Sequence, residues 1–332
     1  MILTGGGWHL ARPTLLCDIG KTFMVLLPSY PYQEPPVNRR HFLFFSAAAL
    51  LAVSRARAME AQTTLRLWPG EPPGGGGPDG PSRLSERGAL SHIAQPELTV
   101  WRPAVPLGHG VLIAAGGGYR RIEMAKEAWP AARWLTARGY TAYVLTYRLP
   151  GEGWKAGGLA PLQDAQRALR LIRQREEKVS LLGFSAGGHL LGMVACRSDF
   201  AAYSPVDAVD DISPRADGAA LIYPIISLEP PYTHTATHRI LAGPHASEEV
   251  DRAWSVQTYV SAKTPPCFLA QAEDDKVSDP HNTLIMAAAC REHQVAVSMY
   301  RYARGGHGFA MGRPGTPTVE WPAHYAQWLA KR

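Results

Sequence analysis

Apolar runs of strand length recur along the chain and alternate with stretches of helical period. Gly110 to Ala115, Thr141 to Tyr147, Val179 to Leu182, Ala219 to Pro224, Pro266 to Gln271 and Ala296 to Tyr302 each read as a buried strand. Helical spacing marks Ala125 to Arg138, Leu162 to Arg175, Gly188 to Cys196, Asn282 to His293 and Trp321 to Lys331. In the second of these, Leu162, Ala165, Leu169 and Ile172 fall on one face, and Gly139 is the stop of the first. This alternation predicts a mostly parallel sheet with helices on both faces. Two strands precede it, Thr63 to Leu67 and Glu97 to Trp101, separated by a proline- and glycine-rich stretch from Trp68 to Pro81 that reads as a surface loop. Residues 225–262 break the rhythm. They hold Pro230, Pro231, several histidines and an amphipathic piece, Ser247 to Tyr259. Following the sixth strand, this segment is either a cap over a pocket or a surface excursion.

The first 58 residues differ from the rest. Asn38-Arg39-Arg40-His41 is a twin-arginine pair leading into an apolar run, Phe42 to Val53, and then into Ala56-Arg57-Ala58. Basic region, apolar region and small-residue site in that order predict an export signal of twin-arginine type, with a mature chain from about Met59. The first 36 residues exceed what a signal needs, and Met24 and Val37 are alternative beginnings. Residues 59–332 then form one catalytic domain, exported to the periplasm or beyond the cell. No apolar stretch of about 18 residues is present to span a membrane. The formal charge of +6 is scattered rather than blocked, so no nucleic-acid partner is expected. Cys196, Cys267 and Cys290 fall in core elements and read as buried thiols, and no His and Cys set has zinc spacing, so neither metal nor cofactor is expected.

The chemistry centres on Gly183-Phe184-Ser185-Ala186-Gly187, a G-x-S-x-G stretch between a strand and a helix. That context makes a sharp turn that lifts Ser185 to the carboxyl edge of the sheet. Serine needs a base, and the base needs an acid to fix its tautomer. His307, flanked by Gly306 and Gly308 after the last strand, is the candidate base. Asp274 and Asp275 follow the preceding strand, and Asp274, which opens a D-x-x-V arrangement, is taken as the histidine's partner. His189 reads as packing. The Ala186 amide, with Gly117 and Gly118 from the glycine run after Ala115, would receive the developing oxyanion. Activity is expected to rise through roughly pH 6–7 as the imidazole loses its proton.

Taken together, these motifs resemble the α/β-hydrolase family of bacterial feruloyl and acetyl esterase-like proteins, many labelled acetylxylan esterases. The resemblance runs from about residue 64 to the end. It rests on Leu67-Trp68-Pro69-Gly70, Gly116-Gly117-Gly118-Tyr119, Tyr147-Arg148-Leu149-Pro150, Leu162-Gln163-Asp164-Ala165, Gly183 to His189, and Asp274-Asp275-Lys276-Val277. It implies an α/β-hydrolase fold, a triad of Ser185, Asp274 and His307, and short acyl esters, often acetyl groups on plant polysaccharides, as substrates. Ala115 stands where a histidine usually opens the glycine loop. Two rival readings differ in class. A prolyl oligopeptidase-type peptidase resembles the chain around Asp274 and His307 but carries a propeller before its catalytic domain. A silent binding module of the same fold usually lacks a triad residue.

Overall fold

The computed structural model describes residues 62–332, and the export-signal reading lies outside the described residues. Eight strands form one sheet: β1 (Gln62–Arg66), β2 (Glu97–Trp101), β3 (His109–Ala114), β4 (Thr141–Thr146), β5 (Lys178–Phe184), β6 (Gly218–Ile222), β7 (Cys267–Ala272) and β8 (Val297–Tyr302). Their order is β1-β2-β4-β3-β5-β6-β7-β8. The pairs β1–β2 and β2–β4 are antiparallel, and the remainder is parallel. Strands β3, β4, β6 and β7 are buried throughout and β5 in all but Lys178, as a parallel sheet flanked by helices requires. Strand β8, expected to be buried, lies at the sheet edge and is only partly so.

The flanking helices are α1 (Trp129–Thr136), α2 (Leu159–Arg173), α3 (Ala186–Cys196), α6 (His281–Glu292) and α7 (Trp321–Leu329). Two short helices, α4 (Ala236–Leu241) and α5 (Glu248–Ala253), lie within residues 225–262. Each is capped by a hydroxyl, Thr235 Oγ1 on the His238 amide and Ser247 Oγ on the Val250 amide. The helix predicted from Ala125 begins differently. Met124–Ala128 is a π-helical turn that passes into α1 at Trp129.

Register places the catalytic candidates together. Ala114 pairs with Gly183, Phe184 with Ile222, Ile222 with Ala270 and Ala272 with Tyr302. The carboxyl ends of β3, β5, β6, β7 and β8 therefore reach one edge, and the loops that leave them meet there.

An ion pair inside the protein ties the amino-terminal loop to the sheet. Arg148 and Asp164 are both fully buried. The Arg148 Nε–H lies 3.0 Å from each Asp164 oxygen, and the Arg148 backbone N–H donates to Oδ2 at 2.8 Å. The Trp68 indole N–H donates to Oδ1 at 2.8 Å, and the Arg148 guanidinium reaches Pro73 O, Ala160 O and Gln163 Oε1. Three of the motifs singled out in the sequence thus meet in one knot, and all are structural. Removing one partner leaves a buried charge without compensation. Asp164→Ala is expected to lower the unfolding free energy by about 3–5 kcal/mol in urea melts, with Asp164→Asn losing less.

Candidate active site

The turn from β5 into α3 puts Ser185 at φ +51°, ψ −118°, outside the regions a serine ordinarily adopts. The contacts around it leave no room to relax. A Cβ on Gly183 would stand 2.5 Å from the Gly187 carbonyl, and one on Gly187 would strike the Ala114 and Ala115 carbonyls. Only glycine lets α3 approach the sheet this closely. Ala186 carries the first amide of α3, which has no acceptor within the helix.

His307 Nε2 lies 2.8 Å from Ser185 Oγ, and His307 Nδ1 lies 2.8 Å from Asp275 Oδ2. With Nδ1–H donated to the carboxylate, Nε2 is free to accept the serine proton. The histidine's partner is Asp275, which corrects the expectation of Asp274. The strand ends at Ala272, and Glu273 and Asp274 form a turn, so strand alternation no longer applies beyond it. Asp275 faces inward with its side chain fully buried. Its Oδ1 accepts the Val277 and Ser278 amides at 2.8 and 2.9 Å, and its Oδ2 also accepts the Gln271 side-chain amide at 3.0 Å. Asp274 is exposed, and its Oδ1 accepts the Gly305 and Gly306 amides at 2.8 and 2.7 Å. Those amide bonds hold its carboxyl below the usual range. Asp274 therefore pins the loop that carries the histidine, while Asp275 orients the ring.

A cavity of ≈ 340 Å³ opens beside Ser185 and His307, and Gly117 and Gly118 line it. Gly117 has φ +124°, and a Cβ there would strike the Arg121 carbonyl. Among the described residues, neither the Gly117 nor the Gly118 amide has a hydrogen-bond partner within the protein. The loop is steadied elsewhere. The Tyr147 hydroxyl donates to Ala115 O at 2.8 Å, and the Gly116 amide donates to Glu127 Oε2 at 2.6 Å. These two side chains hold the backbone on either side of the Ala115–Gly116 bond. Residues 225–262 contribute Ile225, Thr235, Ala236 and Thr237 to the cavity wall.

Sequence reasoning passed over Glu127 and Tyr223. Glu127 is buried at the cavity, and its other oxygen accepts the Tyr223 hydroxyl at 3.0 Å. A signal for it exists: Glu127, Ala131 and Leu135 follow one another at spacing four, all buried, so the acid sits on an apolar face. His189 is more than packing. Its Nε2–H donates to Trp254 O at 2.7 Å and its Nδ1 accepts the Tyr119 hydroxyl at 2.8 Å, joining α3 to the glycine loop and to residues 225–262. Burial pushes its pKa down to about 4, against the opposing effect of the Trp254 carbonyl. Cys196, Cys267 and Cys290 are free, and burial pushes Cys196 up to about 12. Among the described residues, no group of three or more His, Cys, Asp or Glu is arranged to hold a metal, and no helix is long and apolar enough to cross a membrane.

The sheet order, the strained serine turn and the Ser185–His307–Asp275 chain define an α/β-hydrolase fold. The chain belongs to the BD-FAE family, whose model matches residues 109–289, more than half of its length. It is 34% identical over 208 residues to an endo-1,4-beta-xylanase B of Butyrivibrio fibrisolvens, covering 60% of this chain and 32% of that protein. It is 26% identical over 234 residues to an acetylxylan esterase of Xylanibacter ruminicola, covering 67% and 45%. The chain thus spans less than half the length of these curated relatives. Among solved structures, an acetyl ester-xyloside bifunctional hydrolase from Caldicellulosiruptor lactoaceticus superposes with a TM-score of 0.66 at 28% identity, covering 81% of this chain and 96% of that one. The carboxylesterase Cest-2923 from Lactobacillus plantarum shares the fold, with a TM-score of 0.58 at 23% identity over 76% of this chain and 96% of that one.

Two measurements follow from the geometry. Labelling of Ser185 by a fluorophosphonate is expected to slow about 10³-fold or more in Asp275→Asn, which spoils the histidine tautomer, and less than about tenfold in Asp274→Asn. His189 binds its proton only in the unfolded chain between its ordinary pKa near 6.5 and its folded value of about 4. Its contribution to stability is therefore complete above about pH 6.5 and declines as pH falls toward 4, by roughly 3 kcal/mol in all. Urea melts at pH 7 and pH 4.5 should show this loss in the wild type and a smaller one in His189→Gln.

Proposed function

We propose that the chain is a serine carboxylic-ester hydrolase for short acyl groups, acetyl foremost, carried on carbohydrate. The observation that carries this reading is the hydrogen-bonded line from Ser185 through His307 to Asp275, set at a cavity lined by two glycines whose amides have no partner among the described residues. Ser185 Oγ attacks the acyl carbon as His307 Nε2 takes its proton. Negative charge then builds on the carbonyl oxygen, where the amides of Ala186, Gly117 and Gly118 receive it. The C–O bond to the alcohol breaks, and His307 returns its proton to the departing oxygen. Water attacks the acyl-enzyme with His307 again as base, which releases the acid and restores Ser185.

Two observations support a short acyl group on a sugar. The cavity is small, and its wall holds Ala236 close to Gly118, where an added Cβ would come within 2.8 Å. Two of the similar proteins, an acetylxylan esterase and an acetyl ester-xyloside bifunctional hydrolase, carry acetyl esters of xylan or xyloside in their names, and a third is named as an endo-1,4-beta-xylanase. The twin-arginine pattern at Arg39 and Arg40 would deliver the enzyme to the side of the membrane where such polymers lie.

Acetate release from acetylated xylan, with Ser185→Ala as the blank, tests this. The wild type is expected to release acetate at least about 10³-fold faster than the variant. Hydrolysis of p-nitrophenyl acetate without release from xylan would keep the esterase and discard the polymer. Absence of any Ser185-dependent hydrolysis would overturn the reading.

A further inference from the structure

We infer that Glu127 is a positioning residue for the proposed ester hydrolysis, holding the glycine loop and the histidine loop in register through one buried carboxylate and Tyr223. The inference rests on that functional reading and concerns a residue outside the triad, separated from Ser185 in sequence by α1, β4, α2 and β5. Glu127 is 3% exposed and lines the same cavity as Ser185 and His307. Its Oε2 accepts the Gly116 amide at 2.6 Å, immediately before the two glycines that line the cavity. Its Oε1 accepts the Tyr223 hydroxyl at 3.0 Å, and the Tyr223 oxygen in turn accepts the Ala310 amide at 3.1 Å. Ala310 lies three residues after His307. A continuous line of hydrogen bonds therefore runs from the loop after β3 to the loop after β8, passing through the residue after β6.

Three further observations favour a functional role over plain packing. Among the described residues, Glu127 has no ion-pair partner, yet it keeps its carboxyl inside the protein, where burial raises its pKa and the Gly116 and Tyr223 donors oppose the rise. An unpaired acid is a costly way to fill space. Both of its oxygens act as acceptors; a glutamine that kept the Gly116 bond would turn its NH₂ toward Tyr223, so the hydroxyl would have to accept rather than donate and the line of bonds would be reversed there. Tyr223 itself stands at φ +39°, a strained position for a side chain of its size, and its ring meets His307 edge-on with centroids 5.0 Å apart. The Tyr223 ring and hydroxyl thus serve the histidine and the glutamate together.

Oxyanion donors help only if they are set before charge develops, so an error in loop position should appear in turnover rather than in substrate binding. Glu127→Gln, Tyr223→Phe and the double variant, made in the full chain, decide the matter with p-nitrophenyl acetate as substrate and phenylboronic acid as the tetrahedral mimic. Glu127→Gln is expected to lower kcat about 10- to 100-fold with KM within about threefold, and to weaken phenylboronic acid in the same proportion as kcat. Tyr223→Phe should lose about threefold or more, and the double variant no more than Glu127→Gln alone, as groups acting in one line do. A Glu127→Gln enzyme with wild-type melting temperature and kcat within twofold overturns the inference, as does a loss confined to KM. If Glu127→Gln fails to fold, Tyr223→Phe at wild-type kcat overturns it. The wild type against Ser185→Ala is read separately, so loss of the esterase reading is distinguished from loss of this link.

Discussion

Everything at the site depends on the closeness of α3 to the sheet. The backbone of Gly187 lies against the Ala114 and Ala115 carbonyls, and Gly183 lies against Gly187, at separations that exclude any side chain. This contact forces Ser185 into a left-handed turn that costs on the order of 1–3 kcal/mol. The cost is sustained because α3 is buried along nearly its whole length. A buried helix cannot shift to relieve one residue without opening the core around it. The same contact sets Ser185 at the turn and Ala186 at the first position of α3, so both positions are products of a single packing constraint.

The other loops have no such rigid support and are held by polar side chains. His189 ties the glycine loop to residues 225–262 through Tyr119 and Trp254, and Tyr147 and Glu127 hold the backbone on either side of the Ala115–Gly116 bond. The Arg148–Asp164 pair performs a similar service for the amino-terminal loop. His189, Tyr147 and Glu127 find their partners in loops that leave the carboxyl edge of the sheet, whereas Arg148 reaches the amino-terminal loop and α2. Loops cannot bury enough apolar surface to fix themselves, so directed bonds take over where packing ends.

This division explains what the sequence made legible. Buried strands are continuous apolar runs, and all eight lie within two residues of their expected positions. The serine turn was legible because its glycines are obligatory. Asp275 was not, because the choice between adjacent carboxylates depends on where a strand stops and a turn begins, a matter of one residue at Ala272. Glu127 was hidden for another reason. Its four-residue spacing with Ala131 and Leu135 marks it as buried, but its partners Gly116 and Tyr223 belong to the loops after β3 and β6 and are joined to it only by the fold. Tyr223 was assigned to a strand end, where a large aromatic residue needs no other explanation.

The three carboxylates near the histidine show how surroundings, rather than residue type, assign roles. Asp274, exposed, accepts two backbone amides and is held readily in its charged form, so it serves as an anchor for chain. Asp275, buried, is met by four donors, the Gln271 side chain, the Val277 and Ser278 amides and the His307 ring. Glu127, also buried, accepts from a backbone amide and a phenol; burial raises its pKa, and these two donors together with the nearby His307 oppose the rise. An acid beside a catalytic histidine is thus not interchangeable with its neighbours, and the number and kind of donors around each oxygen is what separates them.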